Sequence, residues 1–306
     1  MVHQSQQEEI RRSYSIISSP ELGELLAVGV KRIENGILSR LLIDRAKVGD
    51  QVLTSGAAGF FTLPKNVANY RQVFMLAAGN GITPIFSLLK TLLTLNPTIA
   101  IVLIYSNSSL ERTMFKEELD NLQASFPERF KIEYLFSNAT NLSRARLHKD
   151  LLKLLIAQYA VAPYAEILFY ICGPLNYMRM ANYALHEVGV PPDNIKRENF
   201  NTEKPIIKAE PPDKGLHQAI IYFKKQQFEV EVQYPGSILK AAKKAGAVLP
   251  YSCEAGVCGN CVATCTNGQV WMAYNEVLTD KEVAQGLTLT CVGFPVGGNV
   301  ELIFLG

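Results

Sequence analysis

Histidine is scarce in this chain, four residues in 306, and His3, His148, His186 and His217 are scattered too widely to suggest a metal site. No apolar run reaches the roughly 20 residues that a membrane-spanning helix needs. The N-terminus, MVHQSQQEEIRRS, is polar and lacks the apolar stretch of a secretory leader. A bulk charge of either sign is also missing, since the formal net charge is only +2. That excludes a chain-wide attraction to nucleic acid. Together these absences predict a soluble, cytoplasmic protein with no membrane insertion and no nucleic-acid partner. The hydrophobic fraction is 48%, and 306 residues suffice for two or three domains, each with a core of ordinary size.

Of six cysteines, four form one constellation: Cys253, Cys258 and Cys261 in CEAGVCGNC, then Cys291 in LTLTCVGFP. Outside the secretory pathway such a set favours a metal centre over disulfides. A short loop supplies three converging thiolates only if its backbone is free to wrap inward, and Ala255, Gly256, Gly259 and Asn260 give it that freedom. Wrapping also aims backbone N–H groups at the sulfurs, which stabilises a reduced cluster. The spacing C-x4-C-x2-C followed by a distant Cys is that of a plant-type [2Fe-2S] centre. Zinc is the alternative, but it usually takes two C-x2-C pairs, and only Cys258 and Cys261 make one. A purely structural set of thiols is the third reading. Cys265 falls outside the ligand set and reads as a small buried strand residue.

Around the loop, FEVEVQ alternates like a strand, Pro235-Gly236 marks a turn, and a short helix follows with Ile238, Leu239 and Ala242 on its buried side. From about Asp213 to Gly306 the chain resembles the β-grasp ferredoxin domain. Lys240, Lys243 and Lys244 read either as a docking face or as a solvated helix surface. Residues 213–306 hold seven lysines, no arginine and eight acidic residues. This is far less acidic than the resemblance implies for a free ferredoxin, and it suits a tethered one.

Upstream, QVFMLAAGNGITPIFSLLKTLL runs from an apolar strand through a glycine loop into an apolar-faced helix, with Thr83 as expected N-cap and Pro84 in the first turn. Gly79 and Gly81 would let a nucleotide's phosphates approach the helix N-terminus. The loop reads G-x-G-x-x-P, so the dinucleotide fingerprint is not met, and a tight strand-to-helix turn stands as the other reading. Strand and helix patterns then alternate as IAIVLIYS, LERTMFKEELDNLQAS, FKIEYLFS, LHKDLLKLLIAQ, EILFYICGP, LNYMRMANYALHEVG and NIKRENF. Such alternation predicts an α/β parallel sheet covered on both faces. Ligands bind at the carboxyl ends of such strands, where Cys172, Gly173 and Pro174 stand.

Four motifs in order carry a wider resemblance: Arg12-Ser13-Tyr14-Ser15, the stretch VKRIENGILSRLL, AAGNGITP and CGPLNYM. They resemble the ferredoxin-NADP reductase superfamily. Followed by a plant-type ferredoxin, the order is similar to reductase components serving bacterial oxygenases, the phenylacetyl-CoA epoxidase type among them. The resemblance implies a multi-domain protein: an antiparallel β-barrel for FAD over 1–66, a nicotinamide domain over 67–202, a linker over 203–212 and a [2Fe-2S] domain over 213–306. It implies that Arg12, Tyr14, Ser15, Gly36 and Ser39 bind the flavin and that Gly79, Gly81, Thr83, Cys172, Gly173 and Pro174 form the nicotinamide site. Thr83, Cys172 and Glu198 are expected beside the reacting centres, with Phe200 against the flavin. The chemistry of these residue types agrees, because arginine pairs with pyrophosphate, tyrosine stacks on an aromatic ring and serine bonds its edge. Their alternation over 12–15 also suits an ordinary strand.

Two departures qualify the resemblance. Eleven residues precede the R-x-Y-S motif, fewer than the family's first barrel strands require, so a barrel incomplete at its N-terminus is expected. Where the subfamily places arginines for the 2′-phosphate of NADPH, this chain has YSNSS and FSNAT. Ser108, Ser137, Arg144 and Arg146 are the remaining candidates, and the expectation leans to NADPH over NADH. The implied activity is electron flow from NAD(P)H through FAD to the cluster and on to an acceptor oxygenase or other redox protein. Dioxygenases, desaturases and hybrid-cluster proteins are alternative acceptors, and a non-enzymatic iron-sulfur carrier is the reading from another class.

Overall fold

The structure is a computed structural model, and it describes residues 1–4, 9–54, 56–200 and 209–304. Most of the expected linker, residues 203–208, lies outside the described residues. The chain divides into two compact units, one of residues 13–51 and 61–200, the other of 1–12, 52–60 and 201–306.

Regular structure is sparse in the first 66 residues. Strands β1 (Val2–Gln4) and β2 (Glu9–Arg11) pair antiparallel, with Val2 opposite Arg11. An isolated antiparallel bridge joins Ile16 to Val28. Helix α1 (Ile37–Asp44) buries Leu38 and Ser39. Several apolar side chains of this stretch, Leu25, Leu26, Ile37 and Val48 among them, are exposed.

The apolar run QVFMLAA becomes β3 (Gln72–Ala78), with six of its seven residues buried. Around it lie α2 (Ile82–Leu95), β4 (Ala100–Asn107), α3 (Lys116–Ser125), β5 (Phe130–Phe136), α4 (Lys149–Tyr159), β6 (Ile167–Cys172), α5 (Leu175–Glu187) and β7 (Ile195–Glu198). The strands form one parallel sheet in the order β5-β4-β3-β6-β7. Side chains alternate between its faces. Phe74, Leu76, Ile104, Phe169 and Ile171 pack with α4 and α5, whereas Val73, Met75, Leu103, Tyr105 and Tyr170 pack with α2 and α3. Both faces are therefore dry, which is why these strands read as unbroken apolar runs.

Two local expectations are corrected. Helix α2 begins at Ile82 with Gly81 as its cap, so Thr83 lies inside the first turn, and its hydroxyl donates to the Asn80 carbonyl at 2.9 Å. The helix expected over LERTMFKEELDNLQAS is interrupted: a single turn at Leu110–Arg112 is followed by Phe115 at φ 57°, and α3 starts only at Lys116. The Phe115 ring stacks on Phe86 at 4.4 Å, and that burial offsets the left-handed backbone.

In the other unit, β8 (His217–Phe223), β9 (Gln226–Val232), α6 (Ile238–Lys244), β10 (Val262–Asn267), β11 (Val270–Met272), α7 (Asp280–Ala284), β12 (Leu287–Leu289), β13 (Gly293–Pro295) and β14 (Val300–Phe304) follow in order. Five form a mixed sheet, β12-β10-β14-β8-β9, in which only β14 and β8 run parallel. Helix α6 lays Ile238, Leu239 and Ala242 onto this sheet, as the sequence predicts. Cys265 differs from expectation in being only half-buried. It sits where the register of β10 slips, with its sulfur against the Asn267 carbonyl at 3.2 Å.

Candidate functional site

Three places concentrate the residues singled out by sequence. In the first, the loop after Tyr251 turns through Glu254, Gly256 and Gly259, which take φ of 51°, 75° and 74°. A side chain at Gly256 would stand 2.7 Å from the Tyr274 carbonyl, so the loop has room only for glycine there. The wrapping brings the four thiols together. Cys253 contacts Cys258 and Cys291, and Cys261 contacts Cys291. Backbone N–H groups point at the sulfurs: Ala255 donates to Cys253 at 3.4 Å, Val257 also faces Cys253, and Asn260 faces Cys258.

The neighbouring thiols Cys258 and Cys291 pull the Cys253 thiol down to about 2, and Cys291 likewise lowers Cys261. Cys258 and Cys291, which hold the shared protons, are raised by those same partners. Four crowded sulfurs that share protons among themselves are suited to exchange them for metal. The four thiols form one chain of contacts, Cys258–Cys253–Cys291–Cys261, and supply the four thiolates that a [2Fe-2S] cluster takes. Cys261 is buried while the other three reach the surface in part, which gives electrons a short way out.

Beside this loop, Tyr251 carries cations against its ring, with Arg11 at 4.3 Å and Lys243 at 4.1 Å from the centroid. Lys243 also pairs with Glu254 of the loop at 3.1 Å.

The second place is the carboxyl end of the parallel sheet. Ala77 pairs with Cys172 across β3 and β6, and Cys172 with Glu198 across β6 and β7. Gly79 takes φ 54° with open space on its outer side. Gly81 is pressed against the next strand: a Cβ there would stand 1.9 Å from the Cys172 carbonyl oxygen, and one at Gly173 would stand 2.9 Å from the Ala78 Cβ. Gly79, Gly81, Cys172, Gly173 and Pro174 thus meet at one edge, with α2 starting from the glycine loop and Pro174 capping α5. The open side of Gly79 at the head of a helix fits an anionic group such as pyrophosphate. The Cys172 thiol is fully buried, and burial, with Glu198 second, pushes it well up, so it stays a neutral thiol. Burial raises the Glu198 carboxyl to about 7. Phe200 is exposed.

Beyond β4 and β5, Ser108 is exposed and its carbonyl accepts a hydrogen bond from the Ser137 hydroxyl at 3.3 Å. Arg144 is paired with the Glu133 carboxylate, while Arg146 is exposed.

The third place is the segment of residues 13–51. Tyr14 and Ser15 are half-buried, and the Ser15 carbonyl accepts the Gly29 N–H at 2.9 Å. A Cβ on Gly29 would stand 2.6 Å from the Thr83 methyl, so this glycine sets how closely the segment lies on the start of α2. The Ser39 hydroxyl accepts the Ile33 N–H at 3.2 Å and donates to the Gly36 carbonyl at 3.3 Å, which folds the turn that opens α1. The first N–H groups of α1 have no partner within the helix and suit a phosphate. Arg12 is exposed, its guanidinium donates to the Arg11 carbonyl at 2.7 Å, and it belongs to the unit that holds the thiols.

Sequence reasoning missed Gly29 and two tyrosines. Tyr105 donates to the Gly79 carbonyl at 3.1 Å and Tyr177 to the Ala77 carbonyl at 3.2 Å. For Tyr105, a tyrosine inside an otherwise aliphatic buried strand was the available signal, since its hydroxyl must find a partner.

Comparison with known proteins agrees with these three places. The oxidoreductase FAD-binding domain family matches residues 1–63, the oxidoreductase NAD-binding domain family residues 75–183, and the 2Fe-2S iron-sulfur cluster binding domain family residues 221–296. The chain is 32% identical over 302 residues to a component of 1,2-phenylacetyl-CoA epoxidase from Escherichia coli K12, covering 97% of this chain and 84% of that one. It is 31% identical over 300 residues to the ferredoxin reductase component of 3-ketosteroid-9-alpha-monooxygenase from Mycobacterium tuberculosis, covering 96% and 80%. Its fold is similar to that of phthalate dioxygenase reductase, with a TM-score of 0.54 at 21% identity over 99% of this chain and 86% of that one. The chain belongs to the family of iron-sulfur flavoprotein reductases that includes these epoxidase and monooxygenase components, and it is an NAD(P)H-dependent oxidoreductase that carries electrons through FAD to a [2Fe-2S] cluster.

Proposed function

We propose that the chain delivers its electrons to an oxygenase-type acceptor protein, in a system like that of phenylacetyl-CoA epoxidase, in the cytoplasm, where thiols stay reduced. The observation that carries this reading is the thiol set: four cysteines joined in one chain of contacts, backbone N–H groups aimed at them and three of the four partly exposed. Cys253, Cys258, Cys261 and Cys291 hold the cluster in this reading. Arg12, Tyr14, Ser15, Gly36 and Ser39 hold the flavin, and Gly79, Gly81, Cys172, Gly173 and Pro174 receive the pyridine nucleotide. The functional regions are 1–66, 67–202 and 213–306, with 203–212 as the connection.

When bound, the three groups together convert a two-electron donor into single electrons for the acceptor. The protein's own residues position and tune. Buried Cys172 and Thr83 shape a water-poor floor at the carboxyl edge of the sheet. Glu198, raised to about 7 by burial, holds a proton below that pH beside Cys172, and Phe200 covers the flavin. No side chain need act as a nucleophile. NADPH is the favoured donor, with exposed Arg146 beyond β5 as the partner for its 2′-phosphate in place of Arg144, which is already held by Glu133.

The test is a Cys291→Ser substitution in the full chain. It is expected to lose the cluster's visible absorption and the reduction of cytochrome c as a protein acceptor, while NAD(P)H-dependent ferricyanide reduction through the flavin persists. Retained cytochrome c reduction without cluster absorption would overturn the proposal.

A further inference from the structure

The structure assigns to Tyr105 a positioning role: its hydroxyl holds the Gly79 carbonyl and thereby sets how the Gly79–Gly81 loop presents its N–H groups to the pyridine nucleotide. The inference rests on the reading that this loop receives the nucleotide.

Tyr105 sits on β4 next to the central strand and is wholly buried. It shares a face of the sheet with Ala77, Tyr170 and Cys172. Packing alone is satisfied by phenylalanine at such a position, and a buried hydroxyl without a partner costs about 1–3 kcal/mol. Tyr105 finds its partner in the loop that follows the neighbouring strand, where it donates to the Gly79 carbonyl at 3.1 Å. The Gly79 and Asn80 carbonyls are both engaged from the protein side. Gly79 and Asn80 both accept the Ile82 N–H, and Asn80 also accepts the Thr83 hydroxyl at 2.9 Å.

In a planar trans peptide the N–H points opposite to the C=O. Fixing the Gly79 carbonyl inward therefore turns the Asn80 N–H outward, and fixing the Asn80 carbonyl does the same for Gly81. The outer side of Gly79 is open, with nothing within 4 Å of where a Cβ would stand. As a glycine at φ 54° it is unstrained but has other backbone wells open to it, so a restraint on its carbonyl decides which one is kept. Tyr105 is a restraint on this carbonyl from the sheet, beside the Ile82 N–H from the helix. Burial pushes its hydroxyl up to about 12, so it remains a donor at working pH. The Met114 backbone faces the same hydroxyl.

The experiment compares Tyr105→Phe with Tyr105→Leu in the full chain loaded with FAD and cluster, with ferricyanide as acceptor. Losing one neutral hydrogen bond is expected to raise the KM for NAD(P)H about three- to tenfold in Tyr105→Phe, with kcat, flavin content and melting temperature unchanged. A packing role predicts the reverse: Tyr105→Phe equal to wild type and Tyr105→Leu unstable. A Tyr105→Phe variant with wild-type KM, or one whose kcat, flavin content and stability fall along with its affinity, overturns the inference. Gly79→Asn, which fills the open side of the loop with a residue that tolerates a left-handed φ, separates the two readings. If it leaves KM unchanged, the nucleotide does not bind at this loop. If it raises KM while Tyr105→Phe does not, only the role of Tyr105 is wrong.

Discussion

Glu198 pairs with buried Cys172 at the end of the last parallel strand, and burial lifts its carboxyl from 4.5 to about 7. The fold therefore prefers the protonated form. A raised folded-state value means that Glu198's contribution to stability is full below about pH 4.5, falls as pH rises toward 7 and is lost above it. Glu198→Gln keeps the shape without the titration. The variant is expected to melt higher than wild type at pH 8 and to match it at pH 5; equal differences at both pH values would mean that this carboxyl does not titrate in that window. Glycines tell a similar residue-scale story. Gly81 and Gly29 are required by atoms on distant segments, the Cys172 carbonyl and the Thr83 methyl, so neither requirement is visible in the local sequence.

At the scale of elements, α7 has only five residues, too few to form unaided in water. Its start is held by a reciprocal cap in which the Thr279 hydroxyl accepts the Glu282 N–H at 3.3 Å and the Glu282 carboxylate accepts the Thr279 N–H at 2.9 Å. The helix leads into β12 and from there to Cys291. Thr279→Ala is expected to cost about 1 kcal/mol in urea unfolding with the cluster spectrum intact. An unchanged midpoint would show the cap to be incidental. Element boundaries were legible where apolar patterning was strong, as in β3, β4, β6 and α6. They were misread at Phe115, where a ring stacked on Phe86 outweighs helix propensity, and at Thr83, where the chain enters α2 two residues earlier than a side-chain cap suggests.

For the whole molecule, the cores are separate. The residues of the parallel sheet's two faces and those of the ferredoxin-like sheet form distinct clusters. Cys261 belongs to the buried core of the latter, and Cys291 packs against it. Removing iron leaves uncompensated sulfurs inside that core. Chelation is therefore expected to reduce hydrogen-exchange protection across residues 219–304 while β3 and β6 keep theirs. Loss of protection in β3 and β6 to the same degree would contradict separate cores.

Ligand spacing and motif order are local properties of the chain, and for that reason the sequence alone determined the cluster type, the three cofactor regions and the parallel sheet with its covered faces. Spacing cannot say which carbonyl a hydroxyl will reach or which backbone will press on a glycine. Tertiary structure decided those: the Tyr105 bond to Gly79, the approach of Gly29 to Thr83, the claim of Glu133 on Arg144 and the pairing of four thiols. Each joins residues far apart in the chain, or depends on their precise approach in space. Only folding creates such contacts, because the forces that act there fade within a few ångströms.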